Sequence, residues 1–331
     1  MKVLMAGHGG PIRKDDEIFI EQLRSRFPDI TFEAGGSNEE QLTQVVDAEV
    51  YHGWPQREVF LAAKNMKWLH VPGTGIDDGI FGTPELSDSD IIVTNCRGPH
   101  APPMADHVMG MILTIAHRLR EQWEDQQNHY WDTNKYNNLL GLNGKTIGIL
   151  AAGDIGSQIA KRAHGFGMNV YAVDKHPDVV KERNNGNIPE GIDHLWNLNK
   201  LDEMLEISDW FVIAAPLTPE TLGIIDSRRI GLMKNGAYFI LISRGGIADE
   251  QALIEALKSG KLAGAAIDSF VTEPLPTTSP FWDMENVIVS PHASALTPEM
   301  WEGRRKIFEE NLRRYLTNEP FLYVCDKKAG F

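Results

Sequence analysis

Cysteine is nearly absent: Cys96 and Cys325 are the only two in 331 residues. Two thiols cannot build a disulfide scaffold, and neither stands in a cluster with metal-ligand spacing. The thin count fits a reducing cytoplasm rather than a disulfide scaffold, and no metal centre is expected. Long hydrophobic runs are missing too, since no window approaches the ~20 apolar residues that a membrane-crossing helix needs. Basic residues are in deficit, with 32 Lys and Arg against 46 Asp and Glu, for a net charge of −14. That balance argues against nucleic acid and anionic membranes as partners. A small anionic ligand would have to be drawn in by a local basic site. There is no short repeat, low-complexity tract or disordered tail. The opening MKVLMAG has too short an apolar run for a signal peptide and reads as a first strand.

What is present suits two globular domains. Hydrophobic content is 42% and charged content 24%, ordinary for a chain long enough to bury two cores. Over the first hundred residues, strands at 2–6, 30–33, 49–52, 68–71 and 91–94 alternate with helices at 15–27, 38–46 and 57–63. That order makes a parallel α/β sheet. Glycine-rich loops follow two of its strands, Gly7-His8-Gly9-Gly10 and Pro72-Gly73-Thr74-Gly75. From Pro102 the pattern changes. Ala105, Val108, Met109, Ile112, Ala116 and Leu119 space one long helix, with prolines at its start. The polar, aromatic stretch 122–138 fits no template.

The most informative stretch is KTIGILAAGDIGSQIAKRAHGFGMNVYAVDKHP, residues 145–177. An apolar strand, 146–150, runs into the turn Ala151-Ala152-Gly153-Asp154-Ile155-Gly156 and then into a helix ended by Gly165 and Gly167. A second buried strand closes on Asp174, about 20 residues beyond the glycines, as a dinucleotide-binding βαβ unit requires. The helix N-terminus, entered through Ala152, Gly153, Asp154 and Ile155, offers unpaired N–H groups to a pyrophosphate. Gly153 lets backbone approach the phosphates and Gly156 lets helix and strand pack closely. Asp174 can accept both ribose hydroxyls of NAD and would repel the 2′-phosphate of NADP, so NADH is expected over NADPH. Ala151 stands where the first glycine normally turns the chain. If that turn needs φ > 0, alanine costs about 1 kcal/mol.

Further strands read at 210–215, 238–242, 264–268 and 287–290, with helices at 200–207 and 250–258. A last amphipathic helix, 298–316, has Thr297 as its cap and is expected to return to the first domain. Three strand ends carry reactive side chains where open α/β sheets bind ligands. They are Arg244 in ISRGG, Asp268 and Glu273 in DSFVTEP, and His292 in VSPHAS. A lone arginine, loop acid or histidine is usually structural. Three in succession after a dinucleotide unit point to hydride chemistry. A carboxylate beside the histidine favours the protonated ring that donates to a developing alkoxide, and an arginine holds a carboxylate and polarises a carbonyl.

At this point the chain resembles the D-isomer-specific 2-hydroxyacid dehydrogenases. The likeness runs through VPGTGIDD, VTNCRGPHAPPMADHVMG, the βαβ unit, SDWFVIAAPLTPETLGIID, ISRGGIADEQAL, GAAIDSFVTEPLP and VIVSPHAS. It implies two doubly wound α/β domains: a Rossmann NAD-binding domain (101–294) inserted into a flavodoxin-like substrate domain (1–100 and 295–331). It implies that Arg244 binds substrate, that Glu273 pairs with the acid/base His292, and that Asp268 sits near the nicotinamide amide. The Gly73-Thr74-Gly75 backbone would hold the substrate carboxylate, with Pro216 and Thr218 near the cofactor. It also implies a homodimer through the NAD domain. Departures are Ala151 and Asp106, where the family usually has glutamate. A long C-terminal regulatory extension, such as some phosphoglycerate dehydrogenases carry, is not expected.

The leading reading is a cytoplasmic NADH-dependent reductase of a 2-keto acid to a D-2-hydroxy acid. Glu273, where formate dehydrogenases of this likeness have glutamine, disfavours formate oxidation. Phosphite, 3-phosphoglycerate, hydroxypyruvate and glyoxylate remain open as substrates. Arg97 is a candidate phosphate partner or an ordinary loop charge. His8, His100 and Met104 either shape the pocket or pack the hinge. A different class, an NAD(H)-sensing corepressor, is disfavoured by the acidic balance and the missing tail.

Overall fold

The computed structural model describes residues 1–7, 12–76, 83–328 and 330. His8 and the rest of its glycine turn beyond Gly7, together with Asp77 and Asp78 of the second glycine-rich loop, lie outside them. The chain forms two compact units. One comprises Met1–His100 and Thr297–Phe331, and the other Ala101–Leu296.

The first unit begins β1 (Lys2–Ala6), α1 (Lys14–Arg26), β2 (Thr31–Gly35), α2 (Asn38–Gln44), β3 (Val50–His52), α3 (Arg57–Ala62), β4 (Trp68–Val71), α4 (Pro84–Ser87) and β5 (Ile92–Asn95). Its five strands pair in parallel in the order β2-β1-β3-β4-β5, the flavodoxin-like winding. Parallel pairing buries both faces, and Val3, Leu4, Val50, Trp68 and Val93 are accordingly at or below 1% exposure. Ser37 and Glu40 form a reciprocal capping box at the start of α2.

The second unit contains α5 (Ala101–Ala116), α6 (Leu119–Gln127), β6 (Thr146–Leu150), α7 (Asp154–Gly165), β7 (Asn169–Asp174), α8 (Pro177–Arg183), β8 (His194–Asn197), α9 (Leu201–Ile207), β9 (Trp210–Ile213), α10 (Ser227–Leu232), β10 (Ala237–Leu241), α11 (Glu250–Lys258), β11 (Leu262–Ile267) and β12 (Val287–Val289). The chain then returns to the first unit through α12 (Pro298–Thr317), whose Thr297 side chain accepts from Met300 N–H. Seven parallel strands order as β12-β11-β10-β9-β6-β7-β8. Successive strands run outward from β6 in one direction and outward from β9 in the other. The crevice at the carboxyl ends of this adjacent pair is where such sheets take ligands.

The long helix expected through Leu119 stops at Ala116, because Arg118 adopts a left-handed conformation (φ 51°). Its guanidinium fixes that break by donating to Glu121 and to the Lys135 carbonyl. The restarted α6 buries none of its residues, and Trp123 and Trp131 are 64% and 93% exposed. An amphipathic pattern cannot show in a helix with no buried face, which is why the stretch 122–138 gave no reading. Asp106 forms an ion pair with Arg162 at 2.6 Å, joining α5 to α7.

Candidate active site

The turn after β6 is built for close approach. Ala151 takes φ 76°, a conformation for which L-residues are strained. A Cβ on Gly156 would stand 2.0 Å from the Ala151 carbonyl oxygen, so only glycine fits there. Around the position of a Cβ on Gly153 there is nothing within 4 Å. The backbone at the start of α7 is therefore bare at the point where a pyrophosphate would meet the helix N-terminus. Asp174 accepts from Ala152 N–H at 2.9 Å and from His176 N–H at 2.8 Å. One oxygen goes to each bond, which leaves both oxygens a lone pair for ribose hydroxyls. A nicotinamide dinucleotide fits this donor set. Pro216 and Thr218 follow β9, beside β6 in the sheet. The Thr221 hydroxyl donates to the Pro216 carbonyl and accepts from Thr218 N–H, so this loop is tied within itself.

Ala151→Gly is expected to relieve the strain at φ 76°. Glycine loses more conformational freedom on folding, which offsets part of the gain. The expected net is about 0.5–1 kcal/mol, or ~1–4 °C in melting temperature. A melting temperature equal to or below the parent's would show that the turn is not strained.

Three neighbouring strand ends of the second unit, after β10, β11 and β12, carry Arg244, Glu273 and His292. Gly245, next to Arg244, could not carry a Cβ, which would lie 2.1 Å from the Phe270 carbonyl carbon. The absence of that atom seats the Arg244 turn directly on the loop after β11. Arg244 itself donates to the Ser243 carbonyl at 3.0 Å. In the loop, Glu273 accepts from Phe270 N–H at 2.9 Å through one oxygen and meets His292 Nδ1 at 2.8 Å through the other. The imidazole is thus held at Nδ1, while Nε2 has no protein hydrogen-bond partner among the described residues. Both side chains remain partly open, 42% for His292 and 36% for Glu273.

His292 sits at φ 53°, a second strained backbone. The group that holds it is Asp268, which is 0% exposed. Its carboxylate accepts from the Ser290 hydroxyl, from Ala293 N–H at 2.9 Å and from Ser294 N–H at 3.1 Å. All three donors lie in the segment that carries His292. Asp268 was expected beside the nicotinamide amide. The geometry adds a role that sequence reading missed, as the anchor of the histidine turn.

In the first unit the 73–75 loop is pinned to the end of β5. Cys96 N–H donates to the Gly73 carbonyl at 2.9 Å, and the Asn95 side-chain amide to the Thr74 carbonyl at 2.7 Å. The Thr74 hydroxyl and Asn95 Oδ1 are buried with no hydrogen-bond partner among the described residues. His100 Nδ1 lies 3.1 Å from the Cys96 carbonyl, and Arg97 is half-buried beside it. Met104, 9% exposed, belongs to the core of the second unit.

Strands β3 and β4 of the first sheet set side by side a histidine pair that sequence reading passed over. His52 and His70 stack at 5.4 Å, and His70 spans Thr94 Oγ1 at 2.8 Å and Cys96 Sγ at 3.3 Å. Burial above all, then the Arg304 charge, pushes His52 down to about 3. Burial, His52 and Arg304 push His70 well below its ordinary value. Both rings are neutral in the folded state, whereas unfolded histidine titrates near 6.5. Above that pH neither state gains protons and stability is complete. Below it the unfolded chain takes up protons that the folded chain refuses, at up to about 1.4 kcal/mol per pH unit and site. The melting temperature is therefore expected to fall from pH 6.5 to pH 5, before most carboxylates titrate. A flat profile across that window would contradict it.

Comparison with known proteins gives the family. The family model described as "D-isomer specific 2-hydroxyacid dehydrogenase, NAD binding domain" matches residues 109–294. A D-3-phosphoglycerate dehydrogenase of Methanocaldococcus jannaschii is 31% identical over 316 residues, covering 93% of this chain and 57% of that protein. A glyoxylate reductase of Thermofilum pendens is 33% identical, covering 84% of this chain and 77% of its own length. The chain thus spans a little over half the length of the phosphoglycerate dehydrogenase it matches. Among solved structures, a D-isomer specific 2-hydroxyacid dehydrogenase from Xanthobacter autotrophicus Py2, in complex with NADPH and MES, superposes with a TM-score of 0.81 at 28% identity over 99% of both chains.

Proposed function

Because this chain belongs to the D-isomer-specific 2-hydroxyacid dehydrogenase family, we propose that it reduces a small 2-oxo acid to the D-2-hydroxy acid with NADH, reversibly. The observation that carries this reading is the Glu273–His292 pair with Nε2 left open on a strained, Asp268-anchored turn. The nicotinamide, when bound, supplies the hydride. Glu273 fixes the imidazole so that Nε2–H faces outward, and that proton passes to the carbonyl oxygen as it becomes a hydroxyl. Arg244 grips the substrate carboxylate and polarises the carbonyl. The Gly73-Thr74-Gly75 amides contribute further donors to the carboxylate. In the oxidative direction His292 accepts the same proton.

The dinucleotide would be held by Ala152, Gly153, Asp154 and Ile155 at the start of α7, by Asp174, and by Pro216, Thr218 and Asp268. Asp174 selects NADH in this reading. Asp174→Ala is expected to lower kcat/KM for NADH and to narrow the gap to NADPH at least tenfold, the loss of about one charge-assisted hydrogen bond and one charge repulsion. Unchanged discrimination would place the ribose elsewhere. Helix α6, which buries none of its residues and carries the exposed Trp123, together with the exposed Trp131 just beyond its end, supports a homodimer through the NAD domain.

The deciding experiment is NADH oxidation against glyoxylate, hydroxypyruvate, pyruvate, longer and branched 2-oxo acids and phosphohydroxypyruvate, with NADPH in parallel. Turnover of one member supports the reading. Bound NADH with no turnover of any member removes it and favours a nucleotide sensor.

A further inference from the structure

We propose that Arg304 is a second anion-binding side chain of the substrate site, taking a second acidic group, so that the protein favours 2-oxo acids with a carboxylate at each end over those ending in alkyl. The inference rests on the 2-oxo acid reading above, and every contact that supports it lies within the first unit.

Helix α12 is anchored by Phe308, fully buried against the first sheet. One turn earlier, the Arg304 guanidinium lies 4.5 Å from the Trp301 ring centroid and 5.5 Å from that of Trp54. Trp54 in turn closes on Gly73, where a Cβ would stand 2.8 Å from the indole edge. One indole therefore bridges Arg304 to the loop expected to hold the first carboxylate. Cys96 makes the same connection, with its N–H on the Gly73 carbonyl and its thiol 3.8 Å from the Arg304 carbonyl.

The cation has no carboxylate at ion-pair distance among the described residues. Asp16, whose charge it feels, pairs with Arg305 at 3.4 Å. Arg13 adds like charge, its guanidinium 3.9 Å from the Trp301 ring. Burial pushes Arg304 down to about 10. A half-buried guanidinium with no counter-ion among the described residues is a liability for folding, and such a group persists where a ligand supplies the missing anion. A second observation points the same way. The Thr74 hydroxyl, in the loop that Trp54 closes on, is buried without a hydrogen-bond partner among the described residues, and such groups are satisfied in most folded proteins.

The test compares the wild type with Arg304→Met and Arg304→Lys in steady-state reduction of oxaloacetate and ketomalonate against pyruvate and 2-oxobutyrate. Arg304→Met is expected to raise KM for the diacids about tenfold more than for the monoacids, with kcat little changed, and Arg304→Lys to restore part of it. The melting temperature of Arg304→Met should stay level or rise, since a charge with no carboxylate partner among the described residues has gone. A structural role would lower it. Malonate binding by calorimetry is the readout independent of turnover, expected in the wild type and lost in Arg304→Met. Equal KM values in both proteins, equal malonate binding, or a uniform rise for both substrate classes overturns the proposal. If the wild type reduces no 2-oxo acid, the functional reading fails while the calorimetry still decides Arg304.

Discussion

His292→Ala is expected to lower the turnover of 2-oxo acid by about 10²- to 10⁴-fold, the range that a positioned general acid contributes. NADH should still bind, because the groups proposed to hold its phosphates and ribose, the β6 turn and Asp174, make no hydrogen bond to His292 among the described residues. Alanine also takes φ 53° poorly, so the variant keeps the backbone strain while losing the Glu273 bond. For that reason His292→Asn, which tolerates left-handed backbone better, is the companion variant. Both should lose the chemical step, and the asparagine variant should retain the parent's melting temperature more nearly. Equilibrium NADH fluorescence with single-turnover kinetics separates binding from chemistry. If NADH affinity collapses in both variants along with turnover, His292 holds the cofactor turn together and its assignment as acid/base is wrong.

Asp268→Asn should have the next largest effect, and on two quantities together. Three donors converge on the Asp268 carboxylate in a fully buried position. An amide of the same shape offers one oxygen and turns an NH₂ toward at least one donor. Hydrogen bonds to a buried charge are worth about 1.5–3 kcal/mol, and a stranded buried N–H costs about 1–3. A loss of about 2–4 kcal/mol is therefore expected, read by urea denaturation. The turn that carries His292 loosens with it. A misplacement of about 1 Å costs roughly 10² in rate, so kcat should fall by about that factor. Ser290→Ala removes one of the three donors and leaves the charge satisfied by two. It should cost about 1 kcal/mol and keep most of the activity. If Asp268→Asn keeps full stability but loses NADH affinity alone, the carboxylate serves the cofactor and not the histidine turn.

Both effects depend on contacts between segments far apart in the chain, and here sequence and structure divide their shares. The strand ends carrying Arg244, Glu273 and His292 were legible because buried parallel strands are apolar runs and the residue just past each run stands out. The Rossmann unit was legible because its glycines are required locally: Gly156 by a backbone oxygen 2.0 Å from any Cβ. Ala151 was readable as an exception, but its sign was not. Only the backbone, at φ 76°, shows that it occupies the glycine conformation.

What the sequence by itself determined is therefore the class of fold, the order of its elements and the residue types at the strand ends, since periodicity and turn chemistry act over a few neighbours. Tertiary structure alone decided the rest. The break at Arg118 needed a carbonyl from Lys135, and α6 has no buried face to print a pattern. Asp268 became an anchor only when β11 and β12 lay side by side, so that donors from residues 290–294 met one carboxylate. His52, His70 and Arg304 carry no motif. Their altered ionisation comes from desolvation and from one another's charges, quantities that exist only after α12 has packed onto the first sheet and water has been expelled.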